Sequence, residues 1–146
     1  MRHRVLLVDD HQLVREGIKH VLEHDSGLFV CGEAENGKEA VAKTITLKPD
    51  VVLMDLSMPV MGGIEATGLI RQFSPATKII ILSLHDSNLV EEQAKKAGAH
   101  AFVCKSRSAD DLVDVINAIL EAEPSRNSET ASGAKSFENA RAWKGK

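Results

Sequence analysis

The chain has 146 residues, of which 43% are hydrophobic and 27% are charged, and its formal net charge is −3 at pH 7. This length and composition are typical of one globular domain with one hydrophobic core, and they exclude a general attraction to nucleic acid or anionic lipid. No apolar run approaches the length that crosses a bilayer and the N-terminus lacks a secretory signal, so we expect a cytoplasmic protein without membrane contact.

Five short apolar runs alternate with five amphipathic segments along the chain. The runs that predict strands are residues 5–10, 28–34, 51–55, 78–84 and 100–105. Helical spacing of apolar residues is clear in four of the segments between and after them, at Val14, Ile18, Val21 and Leu22, at Ile64, Leu69, Ile70 and Phe73, at Val90, Ala94 and Ala97, and at Leu112, Val115, Ile116 and Ile119. Such alternation predicts an α/β fold with a parallel sheet covered by helices on both faces.

Local signals predict where two of the helices begin. Asn36 is followed three residues later by Glu39, which is the pattern of an N-terminal cap, and this helix should end near Lys48 because a proline follows. Asn88 with Glu91 predicts a similar cap for the fourth helix.

The character of the chain changes near its C-terminal end. Residues 1–121 carry the alternating pattern, whereas residues 122–146 are polar and rich in serine, which predicts a flexible tail or an interdomain linker. The segment around Trp143 is at most a marginal helix. Cys31 and Cys104 lie within apolar runs and have no metal-ligand spacing, so we interpret them as buried, inert thiols.

Polar residues follow four of the five predicted strands. Asp9 and Asp10 end the first strand, Asp55 the third, Ser83 the fourth and Lys105 the fifth. Taken singly, Asp9 or Asp10 is expected to cap a helix and Ser83 to be a loop hydroxyl. Ligands of an open parallel sheet bind beyond the carboxyl ends of its strands, so together these residues predict one site.

Three carboxylates close together repel one another unless a cation lies between them, and Mg²⁺ is the ion that prefers such oxygen ligands. A carboxylate can also act as a nucleophile toward phosphorus and form an aspartyl phosphate. The metal and a lysine would then balance the charge on the phosphoryl oxygens. Pro59 with Gly62 and Gly63 predicts a tight loop behind the nucleophile, Asp55.

Four segments, VDD (8–10), MDLSMPVMGG (54–63), ILS (81–83) and AFVCK (101–105), strongly resemble the receiver domain of two-component response regulators. The likeness covers about residues 4–121 and is greatest to the branch that usually carries a C-terminal helix-turn-helix output domain. It implies a flavodoxin-like fold with five parallel strands in the order 2-1-3-4-5.

The resemblance also implies roles for individual residues. Asp55 would accept a phosphoryl group from a phosphohistidine on a sensor histidine kinase. Asp10, Asp55 and the backbone carbonyl of Ser57 would bind Mg²⁺, with Asp9 helping through water. Lys105 would pair with the Asp55 carboxylate and later with the phosphoryl oxygens, and the domain would weakly catalyse its own phosphorylation and dephosphorylation.

Other residues would transmit and tune the signal in such a domain. Ser83 would move toward the phosphoryl group and Phe102 would turn inward behind it, which would repack the surface of helix 4, strand 5 and helix 5. Ser57, Leu84 and His85 occupy positions that would tune access to the site and the phosphoryl lifetime. From its place in the strand alone, Phe102 is an ordinary sheet residue.

The sequence departs from the family at several points. Ser106 follows Lys105 where a proline is common, so a cis bond there is not expected. Leu84 is bulkier than the small residue that many receivers have, and it is expected to hinder access to Asp55. The tail supplies no recognition helix, so contact with DNA is expected only through an output domain absent from this chain, and homodimerisation on phosphorylation is a further possibility.

Two other functions are compatible with these residue types. A phosphatase of the haloacid dehalogenase type also uses an aspartate, Mg²⁺ and a lysine, but it places a DxD pattern after its first strand, where this chain has DDH (9–11). The other alternative is a stand-alone or phosphorylation-independent receiver that acts as a protein-binding module.

Overall fold

The computed structural model describes residues 3–24, 27–84, 87–105 and 109–121, and the side chains of residues 109 and 110 are not described. Strands and helices alternate throughout. In chain order the elements are β1 (His3–Val8), α1 (Gln12–His24), β2 (Leu28–Ala34), α2 (Gly37–Leu47), β3 (Val51–Asp55), α3 (Gly63–Phe73), β4 (Lys78–Ser83), α4 (Asn88–Ala97), β5 (Ala101–Cys104) and α5 (Ala109–Glu121).

The five strands form one parallel sheet in the order β2-β1-β3-β4-β5. This confirms the predicted fold class and strand order. All five residues of the central strand β3 are buried, because helices cover both faces of the sheet. The apolar run of β3 therefore forms a strand without an exposed face, whereas Phe29 of the edge strand β2 is exposed.

Each face of the sheet has its own hydrophobic cluster. Leu22 of α1 and the predicted face of α5 pack on one side, and that face consists of Leu112, Val115, Ile116 and Ile119. Ala40 of α2, Ile70 of α3 and Ala94 of α4 pack on the other side. This arrangement leaves the carboxyl ends of the strands free to carry the polar residues that follow them.

The predicted helix ends agree with the structure at α2 and differ by one residue at α4. The Asn36 side chain accepts a hydrogen bond from the Glu39 N–H, and the helix stops at Lys48, whose φ of 51° is left-handed. The predicted cap at Asn88 is wrong, because the Ser87 hydroxyl accepts the Val90 N–H and Asn88 is the first helical residue. Serine is as good a cap as asparagine, so the pattern alone did not separate the two.

Burial differs from the apolar patterns at several positions. Phe73 closes the pattern of α3 but is 58% exposed, since it is the last residue of that helix. The prediction of a buried thiol is wrong for Cys31, which is only partly buried, and right for Cys104. Desolvation raises the pKa of the Cys31 thiol, which disfavours the thiolate. Arg15 is buried although the apolar pattern of α1 does not include it.

Several predictions fall on residues that the structure does not describe. They concern His85, the bond between Lys105 and Ser106, and the tail of residues 122–146 with Trp143. Within the described ranges, no helix combines the length and apolar character that crossing a membrane requires.

Candidate functional site

Three of the predicted site residues meet at the carboxyl edge of the sheet. The register aligns Val8 of β1 with Met54 of β3, so the residues that follow them, Asp9 and Asp55, are neighbours. The Lys105 Nζ lies 2.7 Å from Asp9 Oδ2 and 2.9 Å from Asp55 Oδ1. One ammonium group therefore joins carboxylates from two strands that are adjacent in the sheet but distant in sequence.

This group of charges is largely shielded from water. Asp9 is 2% and Asp55 is 5% exposed. Burial raises the pKa of Asp55, and the charge of Asp9 adds to this, although the hydrogen bond from Lys105 opposes it. Burial alone would lower the pKa of Lys105, but its hydrogen bonds to Asp9 and Asp55 outweigh that effect and raise it. Lys105 therefore remains a cation, and it offsets only part of the negative charge of the two carboxylates.

The turn after β1 adds a third carboxylate, that of Asp10, and the imidazole of His11. Ligand atoms of Asp9, Asp10 and His11 all lie within 4.8 Å of one another, and Asp10 is the more exposed of the two aspartates. His11 Nδ1 lies 3.3 Å from Asp9 Oδ1 and 3.2 Å from Asp10 Oδ1. The carboxylates of Asp9 and Asp10 are hard oxygen donors of the kind that Mg²⁺ prefers, so these two residues fit the ion. Asp55 is joined to Asp9 through Lys105 but is not among the clustered ligand atoms, so its ligation of Mg²⁺ remains a prediction.

The loop between β3 and α3 is as tight as the sequence predicts. A Cβ added to Gly63 would lie 2.4 Å from the Asp55 carbonyl oxygen, so only glycine allows α3 to start this close to the strand end. The Met61 N–H donates to the Pro59 carbonyl at 2.7 Å across Val60, whose φ is 69°. This is a γ-turn with a positive central φ, and a β-branched residue in that conformation is strained.

The two predicted switch residues are both buried, and Ser83 adjoins this site through Lys105. Ser83 is 3% exposed at the end of β4, and its carbonyl accepts the Lys105 N–H at 2.6 Å. Phe102 is fully buried and belongs to the same cluster as Ala94 of α4 and Ala99. Phe102 thus lies inward in this structure, and movement of either residue on phosphorylation remains a prediction.

The residues expected to tune the reaction are less closely placed. Ser57 lies two residues beyond Asp55 and is exposed, and ligation by its carbonyl remains a prediction. Leu84 is 68% exposed and lines a groove of about 380 Å³ between α1 and the ends of β4 and β5, together with Leu13 and Ile18. Its expected effect on access to Asp55 remains a prediction.

Sequence reasoning missed two residues that contact the site. His11 approaches both Asp9 and Asp10, and Arg15 Nη1 donates to the Asp9 carbonyl at 2.6 Å. The position of His11 beside the two aspartates was a usable signal. Arg15 offered none, because an arginine on a helix is ordinarily a solvent-exposed residue.

Comparisons with known proteins agree with this geometry. Residues 5–117 match the sequence model of the response regulator receiver domain family. The chain is 42% identical over 119 residues to the response regulator UvrY of Escherichia coli strain K12, a match that covers 82% of this chain and 55% of that protein. It is 41% identical over 116 residues to the response regulator protein VraR of Staphylococcus aureus strain COL, with 80% and 56% covered.

Solved structures show the same likeness. A two-component response regulator of the LuxR family from Aurantimonas sp. SI85-9A1 superposes with a TM-score of 0.80 at 36% identity and covers 97% of this chain and 99% of that one. The signal receiver domain of the putative response regulator NarL from Mycobacterium tuberculosis gives a TM-score of 0.79 at 31% identity, with 82% and 97% covered. The chain spans about half the length of the curated relatives it matches.

Proposed function

This chain belongs to the response regulator receiver domain family, and from that premise we propose that it is a phosphorylation switch whose acceptor is Asp55. The observation that carries the proposal is the buried contact of one lysine with two carboxylates at the end of the sheet. Lys105 lies within 2.9 Å of an oxygen of both Asp9 and Asp55. A buried cation that bridges two acids is costly to build for stability alone, which favours a catalytic purpose.

In this proposal an Asp55 carboxylate oxygen attacks the phosphorus of a phosphohistidine on a sensor histidine kinase. The new P–O bond forms as the P–N bond breaks, and the leaving imidazole takes up a proton. Lys105 then exchanges its contact with Asp55 Oδ1 for a phosphoryl oxygen, and it remains charged because Asp9 also holds it. Domains of this kind act once per phosphoryl group and reverse the change by slow hydrolysis.

Asp9, Asp10 and Asp55 would hold Mg²⁺, with the Ser57 carbonyl as a further ligand. When bound, the ion would supply positive charge to the phosphoryl oxygens. The two aspartates of the β1–α1 turn differ in exposure, since Asp9 is buried against Lys105 and Asp10 is not. We therefore assign the more direct contact to Asp10 and a water-mediated one to Asp9.

Phosphorylation would be transmitted through Ser83 and Phe102 to the surface of α4, β5 and α5. Ser83 is buried at the end of β4, and Phe102 is buried within β5. The cluster that contains Phe102 also contains Ala94 of α4, so a change at Phe102 would be felt by that helix. Leu89 on α4 is 70% exposed and would be part of the surface that changes, which is where we place a homodimer contact formed on phosphorylation.

In the whole protein, residues 1–121 would form the receiver domain and residues 122–146 a linker to an output domain. The likeness to regulators of which this chain matches only about half supports that division. Contact with DNA, and hence control of transcription, would belong to that output domain. The proposal implies a cytoplasmic location, where the kinase and the DNA are both reached.

Incubation with acetyl phosphate in Mg²⁺ tests the proposal. Intact-mass spectrometry should detect one added phosphoryl group per chain, and the Asp55→Asn variant should gain none. Asp114 is an exposed acid on α5, so Asp114→Asn serves as the matched control and should be labelled like the native chain.

Each alternative function predicts a different result in this assay. Undiminished labelling of Asp55→Asn would remove Asp55 from the acceptor role. Hydrolysis of many phosphate esters per chain, when these replace acetyl phosphate, would indicate a hydrolase instead. An amide NMR spectrum that does not change on adding beryllofluoride, a mimic of the phosphoryl group, would favour a phosphorylation-independent binding module.

A further inference from the structure

Arg15 has an environment that is unusual for an arginine on a surface helix. It lies in the first turn of α1 and is only 8% exposed. Its Nη1 donates to the Asp9 carbonyl at 2.6 Å, and its Nε donates to Glu33 Oε1 at 2.7 Å. Arginine is rarely buried unless its guanidinium is paired, and here both Nε and Nη1 have a hydrogen-bond partner.

The contact with Asp9 fixes the peptide that carries both acids of the β1–α1 turn. The Asp9 N–H donates to the Ala34 carbonyl at 3.0 Å, and its carbonyl accepts from Arg15. The Asp9 N–H belongs to the peptide before Asp9 and the Asp9 carbonyl to the peptide between Asp9 and Asp10, so the two hydrogen bonds hold the backbone on both sides of Asp9. This backbone sets the direction in which the Asp9 and Asp10 side chains leave the chain, and the Asp9 carboxylate is held further by Lys105 Nζ and the His11 N–H.

Glu33 in turn holds Arg15 in place. It lies in β2, and it also approaches the Lys19 Nζ at 3.9 Å. The guanidinium therefore links the end of β1 to the neighbouring strand, on the side of the turn away from Lys105. A planar guanidinium makes both contacts at once, whereas the single ammonium of a lysine cannot reproduce that geometry.

We propose that Arg15 is a positioning residue for the metal site, which sets the direction of the Asp9 and Asp10 carboxylates without touching the ion. This inference rests on the proposed binding of Mg²⁺ by those two residues. Partners that orient metal ligands typically contribute about 10- to 100-fold to metal affinity. Arg15 is also a cation next to a cation site, so its charge by itself opposes Mg²⁺ binding.

The opposing signs of these two effects make the inference testable. If Arg15 acts through position, Arg15→Met should raise the Mg²⁺ dissociation constant about 10-fold or more. If only its charge matters, the same substitution should tighten binding. Arg15→Lys keeps the charge and loses the paired geometry, so it should also weaken binding, whereas the charge effect alone predicts no change.

Mg²⁺ titrations followed by amide NMR, without any phosphodonor, measure these affinities on the full chain. Lys19→Met is the matched control, because it removes one positive charge from the same helix and from the same partner, Glu33, without contacting Asp9. Its affinity for Mg²⁺ should be unchanged or slightly higher. The amide spectrum reports in the same samples whether each variant is folded, and Arg15→Lys decides the question if Arg15→Met is unfolded.

Native-like or tighter Mg²⁺ binding in both Arg15 variants would overturn the positioning role while leaving the proposed function intact. A native chain that binds no Mg²⁺ would refute the metal part of the proposed function, and this inference with it. Failure of Asp55 to accept a phosphoryl group would not affect the titration, since no phosphoryl transfer takes place in it.

Discussion

Replacing His100 with asparagine should make the stability of this domain less sensitive to mild acid. His100 lies just before β5, where its N–H donates to the Ile79 carbonyl at 2.7 Å and its Nδ1 accepts the Ile79 N–H at 3.0 Å. The imidazole thus acts as a backbone acceptor at the start of β4. Protonation of Nδ1 would remove the acceptor, so the folded state requires the neutral ring.

The direction of the effect follows from the pKa of this group. Burial, with the nearby charges of Lys78 and Arg71, lowers the pKa of His100 from 6.5 to about 4. Between these values the unfolded chain binds a proton that the folded chain does not, so stability falls as the pH drops below 6.5. The loss amounts to roughly 1.4 kcal/mol per pH unit, or about 2 kcal/mol at pH 5.

Urea unfolding followed by circular dichroism between pH 5 and pH 7.5 measures this loss. Asparagine places Oδ1 near the position of Nδ1, so His100→Asn keeps an acceptor for the Ile79 N–H and does not titrate. Between pH 6.5 and pH 5, the free energy of unfolding of this variant should fall by about 2 kcal/mol less than that of the native chain. The exposed His20 provides the control, since His20→Asn should leave the slope unchanged. Parallel curves for His100→Asn and the native chain would refute the reasoning.

Four further substitutions test the site and its loop. Gly63→Ala should destabilise the domain by about 2 kcal/mol in the same urea experiment, because its Cβ would lie 2.4 Å from the Asp55 carbonyl oxygen. Gly68→Ala should instead stabilise α3 by about 1 kcal/mol, because a Cβ there has no atom within 4 Å. Val60→Gly should relieve the strained φ of 69° and raise the free energy of unfolding by about 1 kcal/mol, and an unchanged thermal midpoint would contradict that strain. Mg²⁺ at about 100 times its dissociation constant should stabilise the native chain by about 2.7 kcal/mol, and an equal gain in Asp10→Asn would argue against ligation by Asp10.

The alternation of apolar runs and amphipathic segments was sufficient to predict the fold class and the approximate position of each strand. β2 and β3 coincide with their predicted runs, and the apolar face of α5 is the one that is buried. These features depend on local periodicity, which is fully present in the sequence. The strand order came from the family resemblance and was confirmed by the sheet.

The sequence alone also located the strand ends that carry Asp9, Asp55 and Lys105, but not the contacts among them. Lys105 and Asp9 are 96 residues apart, and they meet because the parallel register brings the ends of β1, β3 and β5 to one edge. The burial of Arg15 likewise depends on the packing of α1 beside β2, where Arg15 pairs with Glu33. Periodicity describes neighbours along the chain, whereas a site of this kind depends on the packing of strands and helices that are distant in sequence.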